Sequence, residues 1–162
     1  MEFEEYVATR GRALERYAYV LAGDAHLAQD LTQTALVKAY RRWSWVARAD
    51  SPDRYVRRIL TTSFIDHTRR RSSTERPTRV VPDGPGGRDP AQVTVVRDQL
   101  RRGLTSLTGQ QRAVLVLRIF EGYDDVAIAD VLHCSPATVR SHASRGLDRL
   151  RAFLATDEGG VR

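Results

Sequence analysis

A single cysteine, Cys134, in 162 residues excludes a disulfide framework, so packing and polar contacts must hold this chain together. Long apolar runs are missing as well. The longest uncharged apolar runs, residues 17–23 and 113–117, fall far short of the roughly 18 to 20 residues that a membrane span needs, and no membrane insertion is expected. The chain opens on Met1-Glu2-Phe3-Glu4-Glu5, acidic where a secretory signal is basic. The expected setting is therefore reducing and cytoplasmic. Lysine is almost absent: all but one of the 26 basic residues are arginine, Lys38 being the exception, set against 20 acidic residues for a net charge of +6. Arginine keeps its charge and grips phosphate bidentately, so the excess points to nucleic acid or another polyanion.

Apolar residues make up 41% of the chain and charged residues 28%, enough for a core and too little biased for wholesale disorder. Proline and glycine concentrate in one place. Pro77, Pro82, Pro85 and Pro90 with Gly84, Gly86 and Gly87 fall between Ser72 and Gln92, a stretch too polar and too punctuated for regular structure. It reads as a flexible linker over 73–92 between an N-terminal unit, 1–72, and a C-terminal unit, 93–162. Each unit is near the lower size limit for folding alone.

Both units read as helical, and no strand alternation stands out, so the fold class expected is all-α: two small helical domains, a bundle and a helix-turn-helix. Val7, Leu14, Tyr17, Ala18 and Leu21 mark one apolar stripe, and Leu27, Leu31, Ala35, Ala39 and Trp43 a second at a spacing of four. Ser51-Pro52 opens a third helix with Val56, Ile59, Leu60 and Phe64 inward, running into Arg69-Arg70-Arg71. Beyond the linker, Val93, Val96, Leu100, Leu104 and Leu107 carry a helical period. Thr108 and Gln111 have capping-box spacing for a helix through Phe120, ended by Gly122. Asp124 can cap a short helix from Asp125 to Leu132, and Ser135-Pro136 opens a last helix to about Leu154.

The sharpest functional signal lies between Asp124 and Leu150. A short helix with Ile128, Ala129 and Leu132 inward, a turn at His133-Cys134 and a second helix with Val139 inward has helix-turn-helix spacing, with Ala129 small where the helices cross. Charge sorts along it. Glu121, Asp124, Asp125 and Asp130 flank the first helix, whereas the second carries Arg140, Arg145, Arg149 and Arg151, the arrangement a groove reader needs. A solvated charged face is the bland alternative for a lone basic helix, but the full turn pattern argues against it. His133 stands where this pattern prefers glycine, at a position that usually needs a left-handed backbone. His133, Cys134 and His142 supply too few ligands at standard spacing for a zinc site. No phosphate loop, nucleophile motif or paired carboxylate suggests catalysis, so no enzyme activity, metal or cofactor is expected.

Ser106-Leu-Thr-Gly-Gln-Gln-Arg-Ala-Val-Leu through Leu150, with Ile128-Ala-Asp-Val-Leu-His-Cys-Ser-Pro-Ala-Thr-Val-Arg-Ser-His inside it, resembles region four of bacterial sigma factors of the extracytoplasmic-function group. The N-terminal unit resembles the same family independently. Ala28-Gln-Asp-Leu-Thr-Gln-Thr-Ala-Leu-Val-Lys-Ala-Tyr is similar to its region-two helix, and Tyr55-Val-Arg-Arg-Ile-Leu to Asp66-His-Thr-Arg-Arg-Arg to the promoter-reading helix that follows.

The resemblance implies a protein that binds core RNA polymerase and promoter DNA, with an anti-sigma factor as a further partner and a monomer when free. It assigns core polymerase docking to Asp30, Gln33, Thr34, Val37 and Arg41, a stripe opposite the core face of the second helix. It makes the loop from Trp43 to Ser51 the receiver of an unstacked minus-ten base, and Trp45 and Arg48 have the chemistry for it, a flat apolar partner and a cation. Arg54, Arg57, Arg58, Thr61 and Thr62 would track the non-template strand from the exposed side of the third helix; Thr62 stands where many relatives have asparagine. Ser135, Thr138, Arg140, Ser141, His142, Arg145 and Arg149 would read the minus-thirty-five duplex. Two other readings stay open: a stand-alone dimeric regulator using the helix-turn-helix, and an adaptor whose basic faces meet an acidic protein.

Overall fold

The computed structural model describes residues 1–74 and 95–159, and the chain divides into two compact units, 1–78 and 79–162. Among the described residues the regular structure is helical and no strand occurs, as the apolar periodicities require. Val93 and the linker expected over 73–92 lie outside the described residues, except that the backbone at 73–74 continues the helix before it.

In the first unit α1 spans Phe3–Ala22, α2 Ala25–Arg41, α3 Trp43–Val46 and α4 Pro52–Thr74. Gly23 ends α1 in a left-handed conformation, φ 70°, that glycine adopts without steric cost. Asp24 starts α2 at once, its carboxylate accepting from the amides of His26 at 2.8 Å and Leu27 at 3.3 Å. Ser51 does the same for α4, its Oγ accepting from the Arg54 amide at 3.1 Å. The buried face of α2 is Ala28, Leu31, Thr32, Ala35 and Ala39, with Leu27 only half-buried. Three alanines in that face let α2 lie close against both α1 and α4. Leu14, Leu21, Val56, Leu60 and Phe64 fill the core between them.

Polar groups complete this small core. Asp53, in the first turn of α4, accepts from Arg10 of α1 at 2.9 and 3.1 Å, from Arg57 at 2.8 Å and from the Tyr6 hydroxyl at 3.1 Å. Burial by itself pushes the Asp53 carboxyl up, but the Arg10 hydrogen bond and the Arg57 and Arg10 charges outweigh it, so it titrates below its ordinary value. Nearby, the Thr61 hydroxyl donates to the Arg57 carbonyl at 2.8 Å and receives the Tyr17 hydroxyl at 2.7 Å.

The second unit comprises α5, Val95–Thr105, α6, Gly109–Ile119, α7, Asp125–Leu132, and α8, Pro136–Gly159. The starts of α6, α7 and α8 have the caps their sequence announces. Thr108 and Gln111 form the reciprocal capping box of α6. Asp124 accepts from the Ala127 amide at 2.8 Å, and Ser135 Oγ from the Thr138 amide at 3.1 Å. Gly122, φ 67°, turns the chain out of α6, and His133, φ 54°, ends α7 in the left-handed region. The Cys134 amide then closes on the Ala129 carbonyl at 3.1 Å. The last helix runs past the expected Leu154 to Gly159, where Asp157 pairs in fork fashion with Arg102 of α5 at 3.2 Å. Gly146 lets α8 approach α6: a Cβ there would lie 3.2 Å from Leu115 and 3.3 Å from Gln111.

Arg112, only 8% exposed, donates to the carbonyls of Thr105 at 3.2 Å and Leu107 at 3.4 Å. It thereby serves the carbonyl end of α5, where a cation is favoured. Burial pushes its guanidinium down to about 10, which leaves it charged at neutral pH.

Two outcomes follow from these networks. A carboxylate whose folded value is lowered contributes stability above its unfolded value near ~4 and loses it as pH falls through the folded value. Asp53→Asn should therefore destabilise the first unit at neutral pH by about 1 to 3 kcal/mol and flatten its acid dependence. Urea titrations read by tryptophan fluorescence report this, since Trp43 and Trp45 both lie in that unit. Arg112→Met should cost about 2 to 4 kcal/mol by leaving two carbonyls without their donor. Its signature is an earlier circular-dichroism transition in the full chain with an unmoved fluorescence transition.

Candidate functional site

Asp30, Gln33, Thr34, Val37 and Arg41 are all exposed on α2, on the side away from Ala28, Leu31, Ala35 and Ala39. Their centre is apolar. Val37 is 52% exposed and Tyr40, one turn on, 61% exposed, amounts that set this face apart from an ordinary solvated helix surface. Tyr40 was not visible as a site residue in the sequence, because its spacing reads equally well as core. Its ring meets Phe3 edge-on at 5.0 Å.

The segment from Trp43 to Ser51, expected as a loop, begins as the single helical turn α3. Val46, fully buried, pulls that turn onto the core, and the amides of Arg48 and Ala49 bond back to the carbonyls of Trp45 and Val46. The two tryptophans then separate in role. Trp43 is half-buried against Phe3 and Tyr6, ring centroids at 5.3 and 5.1 Å, and its indole N–H donates to the Met1 carbonyl at 3.1 Å. Trp45 stays 60% exposed and rests edge-on against Tyr55 of α4 at 5.2 Å. Arg48 is exposed beside it in sequence. Tyr55 was missed in the sequence, although an aromatic among Arg54, Arg57 and Arg58 is the interleaving that nucleic-acid surfaces show.

On α4 the expected strand-tracking set divides. Arg54 is exposed, and Arg58 and Thr62, at successive intervals of four, are half-buried on the same face. The Thr62 hydroxyl donates to the Ile59 carbonyl at 3.0 Å. Thr61 and Arg57 do not belong to that face. Thr61 is 0% exposed and bonded to Tyr17, while Arg57 is held by Asp53 and lies over the Tyr17 ring at 5.2 Å. Both are structural residues, because the first unit draws them inward to complete its core.

In the second unit α7, the turn and α8 make a helix-turn-helix. Ile128, Ala129, Val131 and Leu132 face inward with Val139 and Ala143 of α8. Ser135, Thr138, Arg140, Ser141, Arg145 and Arg149 are exposed, and His142 is half-buried. With about 100° between successive residues of a helix, the exposed set falls on two flanks: Arg140 on one, and Thr138, Arg145 and Arg149 on the other. Ser135 and Thr138 share a 2.9 Å hydroxyl contact as well as the cap. Asp125 of α7 pairs with Arg118 and comes within 4.0 Å of Arg140. Burial, and then the Arg145 charge, lower the His142 imidazole, so a neutral ring faces the basic flank at pH 7. Burial pushes the Cys134 thiol up. Among the described residues no group of three His, Cys, Asp or Glu side chains could hold a metal ion, and no helix is long and apolar enough to cross a membrane.

Comparison with known proteins gives these surfaces their context. The Sigma-70 region 2 family matches residues 6–74 and the Sigma-70 region 4 family residues 97–150. The chain is 40% identical over its whole length to the RNA polymerase sigma-E factor of Streptomyces avermitilis, covering 90% of that protein, and 39% identical to the one from Streptomyces coelicolor, covering 91%. It is also 30% identical to the ECF RNA polymerase sigma factor SigE of Mycolicibacterium smegmatis over 94% of the chain and 62% of that protein. Among solved structures, the sigma factor RpoE of Bartonella quintana, crystallised with the anti-sigma factor NepR, has the same fold, with a TM-score of 0.67 at 22% identity over 96% of this chain and 98% of that one. The chain therefore belongs to the extracytoplasmic-function sigma factors of the sigma-70 family, which direct RNA polymerase to initiate at particular promoters.

Proposed function

We propose that the two units divide promoter recognition, with 1–72 docking on core RNA polymerase and reading the minus-ten element, 93–162 reading the minus-thirty-five duplex, and 73–92 joining them. The exposed α2 face carries the first role: Asp30, Gln33, Thr34 and Arg41 surround an uncovered apolar centre at Val37. Trp45 and Arg48 receive an unpaired base, and Arg54, Arg58 and Thr62 follow the adjoining strand. Trp45 supports this most directly, because it meets Tyr55 edge-on yet stays 60% exposed at a corner plugged by Val46, which leaves ring surface for stacking.

In the second unit the first turns of α8 enter the major groove. Arg140 reaches base edges, and Arg145 and Arg149 on the other flank reach phosphate; Ser135, Thr138, Ser141 and His142 line the approach. The chain acts by binding, alone in solution as a monomer in the cytoplasm, and bond formation belongs to the polymerase. An anti-sigma factor that covers these surfaces would inhibit it. Run-off transcription with purified core polymerase, on the promoter upstream of its own gene, tests the whole reading.

Each surface also has its own test. Asp30→Arg combined with Gln33→Ala should weaken core polymerase binding by on the order of tenfold or more while promoter duplex binding by the second unit persists. Unchanged polymerase affinity in the folded variant would remove the docking role from α2. Arg140→Ala should cost ~1 to 3 kcal/mol on specific duplex and relax preference at one or two base pairs. Arg149→Ala should weaken specific and random duplex alike and make the salt dependence shallower. Equal losses from both variants on both duplexes would show that Arg140 does not read bases.

A further inference from the structure

Tyr6 of α1 makes two contacts in different directions. Its ring lies 5.1 Å from that of Trp43, and its hydroxyl donates to Asp53 at 3.1 Å. Trp43 and Asp53 bracket the whole segment that carries Trp45 and Arg48. Each end of the bracket is reinforced. Phe3 and the Met1 carbonyl hold Trp43, and Arg10 and Arg57 hold Asp53. Midway, Val46 is 0% exposed, so the segment is fixed at both ends and in its centre. Tyr6 is itself 2% exposed and cannot touch DNA.

We propose that Tyr6 is a positioning residue for base recognition, tying Trp43 to Asp53 so that Trp45 and Arg48 are presented in one arrangement before DNA arrives. The inference rests on the reading of Trp45 and Arg48 as the receiver of an unpaired base. A segment of this length left free would have to be ordered at the moment of binding, and that ordering subtracts from affinity. The bracket removes the penalty in advance. Phenylalanine at position 6 would keep the ring contact with Trp43 and lose only the tie to Asp53, which isolates the positioning effect.

The test uses holoenzyme assembled from the full chain and core polymerase. The probe is the single-stranded non-template minus-ten segment of a promoter it transcribes, with 2-aminopurine placed at successive bases. Tyr6→Phe should weaken binding of this strand by on the order of tenfold, with core affinity and minus-thirty-five duplex affinity unchanged. Loss of a merely structural contact would lower thermal stability without singling out the unpaired base. Trp45→Ala should abolish the stacking signal. If it does not, the base-receiving reading itself fails; if it does while Tyr6→Phe binds as well as the parent, positioning by Tyr6 is overturned. Hydrogen exchange on the unsubstituted free protein gives an answer that needs no variant. The amides of Val46, Ala47, Arg48 and Ala49, each bonded to a carbonyl between Arg42 and Val46, should be protected before DNA is added. Protection that appears only with DNA overturns the proposal.

Discussion

Each unit has about 80 residues from which to build a core, and this scarcity governs what its polar side chains can do. A domain of that size buries too small a fraction of its surface for apolar packing alone to fix the helices in register. The remainder is supplied by hydrogen-bonded groups drawn inside: Asp53 with Tyr6, Arg10 and Arg57 in the first unit, and Arg112 on the carbonyls of Thr105 and Leu107 in the second. Asp53 meets two guanidiniums and a hydroxyl, and Arg112 places its Nη2 on two backbone carbonyls. That condition makes such burial tolerable, since an unpaired charge in the same place would cost several kcal/mol.

The same economy explains which parts of the fold were legible in the sequence. The helix starts at Ser51, Thr108, Asp124 and Ser135 were read almost residue by residue, because these residues act through the three or four that follow them. Gly122 and His133 also end their helices where expected, each with a positive φ. Less legible was anything set by tertiary contact. On α2 the expected Leu31, Ala35 and Ala39 are buried, but Ala28 and Thr32 join them while Leu27 stays half-buried, since small side chains at a helix crossing let the backbones approach, and periodicity cannot see that. The extension of α8 to Gly159 is fixed by Asp157 meeting Arg102, a pairing between residues distant in the chain.

The candidate surfaces were legible in the same uneven way. On α2 and α8 the expected residues are exposed, apart from the half-buried His142, because an amphipathic helix that packs on one side presents the other. On α4 the period also placed Arg57 and Thr61 outside, and both are taken inward. The reason is electrostatic for Arg57, which neutralises Asp53 and covers Tyr17. For Thr61 it is geometric, a hydroxyl small enough to sit in the core and bonded twice there. An arginine-rich helix therefore cannot be read as a uniform exposed track, and the counterions within its own domain decide which arginines stay at the surface. Tyr6, Tyr40 and Tyr55 escaped for a related reason: an aromatic residue serves core and surface equally well, and only the contacts distinguish them.

Asp125 plays a comparable part in the helix-turn-helix. A carboxylate in the first turn of α7 is favoured by the partial positive charge of the helix terminus, and here it also holds Arg118 and approaches Arg140. Arg118 supplies the closer contact, so Asp125 holds Arg140 only weakly; the 4.0 Å separation and the 61% exposure of the Arg140 side chain leave that pair mostly in solvent, where such contacts are worth little. Arg140 thus remains a largely solvated cation. Arg145 and Arg149, on the other flank of α8, lie beside an imidazole kept neutral by burial and by Arg145 itself, so no positive charge from His142 competes with theirs. The two flanks consequently differ in kind. One flank carries a single arginine near a carboxylate of its supporting helix, and the other carries two arginines that form a plain positive edge.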